Sequence, residues 1–544
     1  MFYLILIFAV LFLLSAWRRL DLAVMFLIAA MPAYLIRFNI FGLPATLLEI
    51  MIWLVFLVWA VKNFSRVKNN FLENFKKENK KIRIRYPFDW EIILLLLVAF
   101  TAAVLSGFSA GSLGVWKAYF FEPVMLFVVV INIMKGDASA GSAQEGRNKI
   151  LWSLVVSALV VSLLAIYQKI TGIFIDNPLW AAADTRRVVS FFGYPNAVGL
   201  YLGPIVLVMV GWFFSVISTP SFSEGEKSLK DKNFKLKGFL AYARNDKFKM
   251  FFISFTIILS LLSIYFAKSK GALFGVMAGL VVFGLLANKK IRCTTIIVLI
   301  IISAGIAVYQ PTRDLAVENI TLTNKSGQIR IAGWADSWKM LKDSRLLTGA
   351  GLANYQVAVA PYHTEGIFLK DFSDPEAQRK LVFNEAYRTA HWQPLEIYLY
   401  PHNIVLNFWS ELGLAGVLLF IWIIGKFFYL GIQVLSLRGA GSHFVIAGVA
   451  CPVPRYGDPQ SRNMNDAETW IPAFPRQGSG QVAGMTKGKG SLAMIDKFLS
   501  LGLICAMVVI IIHGIVDAPY FKNDLAVIFW LLIAMMGLKN KADA

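Results

Sequence analysis

The sequence has little of what soluble proteins use for solubility and for polar chemistry. Only 16% of its 544 residues are charged, and it contains three cysteines and five histidines. The cysteines Cys293, Cys451 and Cys505 form no CxxC pair, and the histidines show no metal-ligand spacing. These shortages argue against a soluble globular fold, a disulfide framework, and a zinc or calcium site.

Long apolar runs are abundant, and hydrophobic residues make up 57% of the chain. A run of about 20 apolar residues can cross a bilayer as a helix, and lipid offers no partner for an open backbone. The sequence therefore predicts an all-α polytopic membrane protein. Roughly thirteen spans are predicted, at 2–16, 21–36, 43–61, 90–108, 114–134, 150–170, 196–218, 250–267, 271–288, 293–309, 404–430, 498–516 and 521–537.

The net charge of +20 comes mainly from Lys and Arg in the connections between apolar runs. Such basic connections mark the cytoplasmic side, so the charge indicates topology and not nucleic-acid binding. Alternation then places 171–195 and 310–403 outside. Three regions are predicted: an N-terminal bundle at 1–309, an extracytoplasmic cap of short helices at 310–403, and C-terminal helices at 404–544 with a flexible cytoplasmic loop at about 440–497.

Several motifs occur in order between the spans. They are RRVVSFFGYPN from Arg186, SKGA from Ser269, LTGAGLANY from Leu347, and PHNIVLNFWSELGLAG from Pro401. In this order the motifs resemble the signature region of the O-antigen ligase and polymerase family, over about 180–430, with a fainter tail at His513 to Asp517.

The resemblance implies a GT-C-like membrane glycosyltransferase of the bacterial inner (cytoplasmic) membrane, with its active site on the extracytoplasmic face. Family members transfer a glycan from an undecaprenyl-diphosphate carrier to an acceptor hydroxyl without a required metal or other cofactor. The implied partners are that donor, a glycan or lipid-linked acceptor in surface polysaccharide synthesis, and membrane lipids. The resemblance leaves open whether the chain is a ligase, a polymerase or a protein O-oligosaccharyltransferase.

A lipid diphosphate leaving group requires cations at the outer membrane surface. A guanidinium can bind two phosphate oxygens at once, and the candidate arginines are Arg186, Arg187 and Arg330. Two lysines, Lys268 and Lys270, lie in a very short outer turn. Many family members carry Arg at the position of Lys270. Lysine keeps the positive charge there but lacks the two-pronged guanidinium. The alternative for each cation is a side chain that snorkels to lipid headgroups.

His402 is the strongest single candidate, because it opens a span beside Asn403 and histidine titrates near neutral pH. The family's key histidine falls at this position. Glu411 is nine residues further on, out of phase with His402 on a regular helix, and a glutamate within a span predicts a partner among the cations. His513 and Asp517 are candidate supporting residues or a polar helix end.

The glycines of both family motifs predict structure and not catalysis. Gly349 and Gly351 favour a turn between cap helices, because no strand or Walker lysine accompanies them, and Gly413 and Gly416 favour close helix packing. Cap aromatics are candidates for stacking on sugar rings: Trp334, Trp338, Tyr355, Tyr362 and Trp392.

Two other function classes remain open. A transporter or flippase for an anionic lipid or solute predicts charges near the middle of several spans and broken helices at the midplane, whereas most candidate charges lie at outer ends. A scaffold protein of polysaccharide assembly would leave His402 and the cations replaceable.

Overall fold

The computed structural model describes residues 2–40, 43–76, 87–135, 140–218, 236–372, 374–436 and 483–537. The main helices are α1 Phe2–Arg18, α2 Leu20–Ala29, α3 Leu47–Lys76, α4 Asp89–Leu105, α5 Ala110–Trp116, α6 Glu122–Lys135, α7 Ala140–Thr171, α8 Pro178–Ala181, α9 Pro195–Ile217, α10 Leu236–Phe266, α11 Lys270–Leu286, α12 Lys289–Val308, α13 Gln310–Ile320, α14 Lys325–Met340, α15 Tyr355–Val359, α16 Ala377–Phe383, α17 Glu385–Ala390, α18 Ile404–Ser436, α19 Ala483–Gly514 and α20 Asn523–Gly537. The strands are β1 Arg37–Ile40, β2 Leu43–Thr46, β3 Gly366–Phe368 and β4 Trp392–Pro394.

The apolar runs form helices, as predicted, and the chain is an all-α polytopic membrane protein. Among the described residues, eight helices are long and apolar enough to cross a membrane. Shorter apolar helices, α1, α2, α11 and α20, fall in other predicted windows. One of the long helices, α12, has no fully buried residue in its apolar window, so most of its surface is available to lipid.

Some predicted windows differ from the observed helices in their extent. The helix predicted at 21–36 ends at Ala29 and is followed by a 3-10 turn at Met31–Leu35, since Pro32 lacks the N–H that a continuing helix needs. The window at 43–61 begins as β2, which pairs antiparallel with β1. The window at 114–134 is interrupted by a π-helical turn at Lys117–Phe121.

The loops also differ from the prediction. The segment 310–403 contains the antiparallel pair of β3 and β4 besides its helices. Most of the loop predicted to be flexible at 440–497 lies outside the described residues, but its last part is helical because α19 begins at Ala483.

The centre of the bundle is formed by α9, α19 and α20. All fifteen residues of α20 are buried, and α9 is buried along most of its length. Helices α9 and α19 approach closely at two glycines, since a Cβ on Gly211 would lie 2.6 Å from Cα of Gly502. Small residues of this kind let helix backbones meet without side chains between them.

The two glycine motifs meet at a kink in α18. Gly413 has φ 72° and ψ −171°, a conformation that residues with a Cβ avoid, and the N–H of Leu414 bonds to the carbonyl of Leu347 outside the helix. Gly349 packs against the carbonyl of Trp409, which a Cβ would approach to 2.5 Å. The glycines therefore join the cap to α18, in agreement with their predicted structural role.

This junction predicts that Gly413→Ala destabilises the protein. A Cβ at this position would lie 2.1 Å from the carbonyl oxygen of Leu347 and would also strain the backbone. We therefore expect the free energy of unfolding to fall by about 3 kcal/mol or more. The measurement is the melting temperature of the purified protein. The control is Gly425→Ala on the same helix, where no atom of the described residues lies within 4 Å of the new methyl group. Equal melting temperatures of the two variants would contradict this role of Gly413.

Candidate functional site

Loops from distant parts of the chain meet at one end of the bundle, where side chains bind the backbone of neighbouring loops. Nε of Arg330 in α14 donates to the carbonyl of Val516 at 2.9 Å, and the Asn403 amide donates to that of Ile515 at 3.0 Å. Nε of Arg187 donates to the carbonyl of Ala267 at 3.1 Å. These contacts hold the segments around Arg187, Lys270, Arg330 and His402 together.

Four cations line one cavity of about 230 Å³ at this end, which we call the cation cavity. They are Arg187, Lys268, Lys270 and Arg330. Among the described residues, none of them forms an ion pair with a carboxylate. Asp517 also lines the cavity, so four cations and one carboxylate leave an excess of positive charge, which is what an anionic ligand requires.

The cations keep their places through neutral oxygen acceptors. Lys268 donates to the carbonyl of Thr185 at 3.2 Å, and Lys270 donates to Oδ1 of Asn319 at 2.7 Å. Burial lowers the pKa of Arg187, because a charged group loses hydration there. An entering anion would replace that lost hydration.

Arg186 is the predicted cation that the structure places elsewhere. Its guanidinium donates to the carbonyls of Lys169 and Ile170 at the end of α7 and of Ala181 at the end of α8, and it does not line the cation cavity. These contacts satisfy carbonyls that a helix end leaves free. Arg186 is therefore separated from the other three predicted diphosphate ligands.

The adjacent arginines give a matched test. We expect Arg187→Ala to lower kcat for glycan transfer by about tenfold to a hundredfold, because the cavity loses a cation. Arg186→Ala should instead cost about 1–3 kcal/mol of folding stability, with kcat nearly unchanged. Steady-state turnover and thermal melting of both purified variants separate these effects; a larger fall in kcat for Arg186→Ala would contradict the assignment.

His402 lies beside the cation cavity and contacts Asp517. Its backbone φ of 47° is rare for a residue with a Cβ, and its Nδ1 is buried 3.5 Å from Oδ1 of Asp517. This distance is longer than a normal hydrogen bond and within the range of an ion pair. Because Nδ1 faces Asp517, Nε2 is the ring nitrogen that remains available to a ligand.

Asp517 is fully buried and held on several sides. It accepts the N–H of Ala518 at 2.9 Å and the amide of Asn196 at 3.3 Å. Burial alone would raise the pKa of Asp517, but the imidazoles of His402 and His513 together with that N–H outweigh it, so the pKa lies below its ordinary value. The carboxylate is therefore ionised at neutral pH, and its stabilising effect is lost only as the pH falls through this lowered pKa.

A second cavity, of about 350 Å³, lies on the other side of Arg330. It runs between α14 and the segment 395–402, and we call it the aromatic groove because Tyr398 and Tyr400 line it together with His402. Arg330 and Ser326 line both cavities, so Arg330 forms part of the wall between them.

The remaining candidates have distinct surroundings. Asn403 caps α18, since its side chain accepts the N–H groups of Val405 and Leu406 at 3.0 Å. Glu411 accepts the N–H of Ala353 at 2.7 Å, and no described cation pairs with it, so the cation partner expected for it is not found. His513 is buried and lines the cation cavity, where Gly271 leaves room for its ring.

Most of the cap aromatics proposed for sugar stacking are used in packing. Trp338 packs against Trp409, Trp392 packs against Phe368, and the hydroxyl of Tyr362 binds Asp343. Tyr355 lines the aromatic groove, but its hydroxyl is bonded to Ser337.

Sequence reasoning missed several residues of the site, including Tyr398 and Tyr400. Tyr400 contacts the His402 ring at 4.6 Å between centroids, and its hydroxyl lies 3.4 Å from that of Tyr194. Lys522 places its ammonium 3.9 Å from the centre of the Tyr194 ring, and burial lowers its pKa. The only sequence signal for Tyr400 was its position next to the PHN motif.

The structure thus defines a multi-pass membrane protein with a cavity lined by four cations beside a histidine–aspartate pair. Within the described residues, no group of three or more His, Cys, Asp or Glu side chains is placed to hold a metal ion. Residues 255–421 match the family model described as O-antigen ligase, which confirms the resemblance to the O-antigen ligase and polymerase family. No curated protein matches the chain. The family implies membrane glycan transfer of the ligase or polymerase type.

Proposed function

We propose that this protein transfers a glycan from an undecaprenyl-diphosphate carrier to an acceptor hydroxyl, on the extracytoplasmic face of the bacterial inner membrane. The observation that carries the proposal is the convergence of four cations on one cavity beside His402, with no ion pair to a carboxylate among the described residues. They are Arg187, Lys268, Lys270 and Arg330. In this proposal the cation cavity binds the diphosphate, and the polyprenyl chain extends into the surrounding lipid.

The reaction is an in-line displacement at the anomeric carbon. The acceptor oxygen forms a bond to this carbon while the bond to the phosphate oxygen breaks, and that oxygen keeps the electron pair. The cations stabilise the charge that grows on the departing diphosphate. No nucleotide sugar is consumed.

His402 takes the proton from the acceptor hydroxyl through Nε2. Asp517, next to Nδ1, holds the ring in orientation and stabilises the imidazolium that forms, as a buried aspartate does for the histidine of a catalytic triad. His402 lies just before α18 and Asp517 lies in the loop 515–522 after α19, and the hydrogen bond from Asn403 to the carbonyl of Ile515 joins these two segments.

The test is an assay of the purified protein with a synthetic undecaprenyl-diphosphate glycan and candidate acceptors. We expect wild type to release undecaprenyl diphosphate and form a new glycoside, with Lys270→Ala and His402→Ala strongly impaired. Equal turnover by all three proteins, or no carrier release with any acceptor, would overturn the proposal. A transporter would move the labelled lipid across a vesicle without cleaving it.

A further inference from the structure

The aromatic groove lies on the side of Arg330 opposite the cation cavity. It is bounded by one face of α14, which contributes Ser326, Arg330 and Asp336, and by the segment 395–402. His402 lies at the end near Arg330. No step in the proposed reaction so far uses the rest of this groove.

The geometry of displacement identifies what the groove holds, if the proposed function is correct. In an in-line reaction the nucleophile attacks from the side opposite the leaving group. In the proposed function the diphosphate lies in the cation cavity, across Arg330 from the groove, and His402 lines the groove with its Nδ1 toward Asp517. The molecule in the groove is therefore the acceptor.

Tyr398 gives the groove a surface that suits a sugar ring. Its side chain is 41% exposed, and its ring meets that of His402 edge to face at 5.0 Å. Within the part of the chain that the structure describes, its hydroxyl has no hydrogen-bond partner. A free aromatic face beside the catalytic histidine can pack against the apolar face of a pyranose.

Charged groups with free hydrogen-bonding capacity line the same groove as this ring. Glu396 and Lys325 line the groove, and neither forms an ion pair or side-chain hydrogen bond with another described residue. A carboxylate that accepts hydrogen bonds and an ammonium that donates them, both lining one groove, suit the hydroxyls of a saccharide, which donate and accept. A hydrocarbon chain would leave both groups unsatisfied.

The groove is longer than one sugar ring. Arg330 and Asp336 are six residues apart on α14, which corresponds to about 9 Å along a helix. At the far end, Asp336 is fixed by the N–H and hydroxyl of Thr364, both at 2.9 Å, and His363 lies 3.7 Å from it. These contacts fix the far end of the groove. The length between this end and Arg330 leaves room for an acceptor that extends past the reacting ring.

We propose that the acceptor is a saccharide of at least two rings, which binds along the aromatic groove with one ring packed on Tyr398. Tyr398 is then a specificity-determining residue for the acceptor and not for the lipid-linked donor. Glu396 and Lys325 bind acceptor hydroxyls. A serine or threonine side chain of a protein would fill only the end near His402.

The experiment uses the purified full-length protein in nanodiscs with an undecaprenyl-diphosphate disaccharide as donor. The acceptors are methyl glycosides and trisaccharides of glucose, galactose and N-acetylglucosamine, and a serine-containing peptide. We expect Tyr398→Ala to raise the KM for the best trisaccharide about five- to tenfold with an unchanged donor KM. Tyr398→Phe, which keeps the ring, and Phe383→Ala, which removes an exposed cap aromatic outside the groove, should retain the wild-type KM.

An unchanged trisaccharide KM in Tyr398→Ala, or an equal rise in donor KM, would contradict the groove assignment. A lower KM for the peptide than for every saccharide would contradict the acceptor class. If wild type shows no turnover, the proposed function fails, but saturation-transfer NMR with the same trisaccharides still tests the groove. Trisaccharide signals that are present with wild type and lost with Tyr398→Ala would support the groove assignment. No signal with wild type, or equal signals with both proteins, would overturn it.

Discussion

Replacement of His402 by alanine is expected to lower kcat for glycan transfer by about a hundredfold to ten-thousandfold, the range for loss of a general base. The reason is that His402 lines the aromatic groove at the Arg330 end and contacts the buried carboxylate of Asp517. No other basic side chain among the described residues combines these two positions. Binding of the lipid-linked donor should change little, because the cation cavity remains. The measurement is kcat and donor affinity, determined separately on the same preparation.

His391→Ala provides the matched control for this substitution. His391 is a cap histidine stacked on Tyr387, and it lines neither the cation cavity nor the aromatic groove. Its replacement should leave kcat near the wild-type value. A His402→Ala enzyme that retains wild-type kcat would refute the role of His402. So would one whose donor affinity falls by the same factor as its turnover.

Arg330→Ala is expected to lower kcat by about a hundredfold to a thousandfold, comparable to the loss of an oxyanion-stabilising donor. Arg330 lines both cavities and also pins α14 to the loop that carries Asp517, so its loss affects the charge and the alignment of the site. Arg330→Lys should recover part of the rate, because it keeps the charge without the two-pronged geometry.

Arg313→Ala separates this effect from a general loss of cap charge. Arg313 is exposed on α13 and pairs only weakly with Asp314, at 3.7 Å. Surface pairs of this kind contribute about 0–1 kcal/mol, so kcat should remain near wild type. A variant Arg330→Ala with kcat within about threefold of wild type would show that Arg330 is structural.

The sequence was sufficient to predict the helices and the motif glycines. Apolar runs about 20 residues long have few alternatives to a membrane helix, so the windows and the observed helices agree. The errors in extent occur where local chemistry interrupts a run, as at Pro32 and at the π-helical turn before Glu122. Average hydropathy does not detect such interruptions, and it could not predict the two-stranded sheets.

The site was only partly predictable, because its contacts join residues far apart in the chain. Charge and position predicted Arg186 and Arg187 equally, whereas the structure bonds the first to helix-end carbonyls and places the second in the cavity. Glu411 has a backbone N–H as its partner, which no sequence pattern indicates. Tyr398 was indistinguishable from the other cap aromatics until the groove was visible.

The most direct test of the site is a cryo-EM structure of the full-length protein in nanodiscs with undecaprenyl diphosphate. We predict density for the two phosphates between Arg187, Lys270 and Arg330, with His402 at the neighbouring wall. Phosphate density anywhere else on the protein, with these three side chains contacting none of it, would contradict the account.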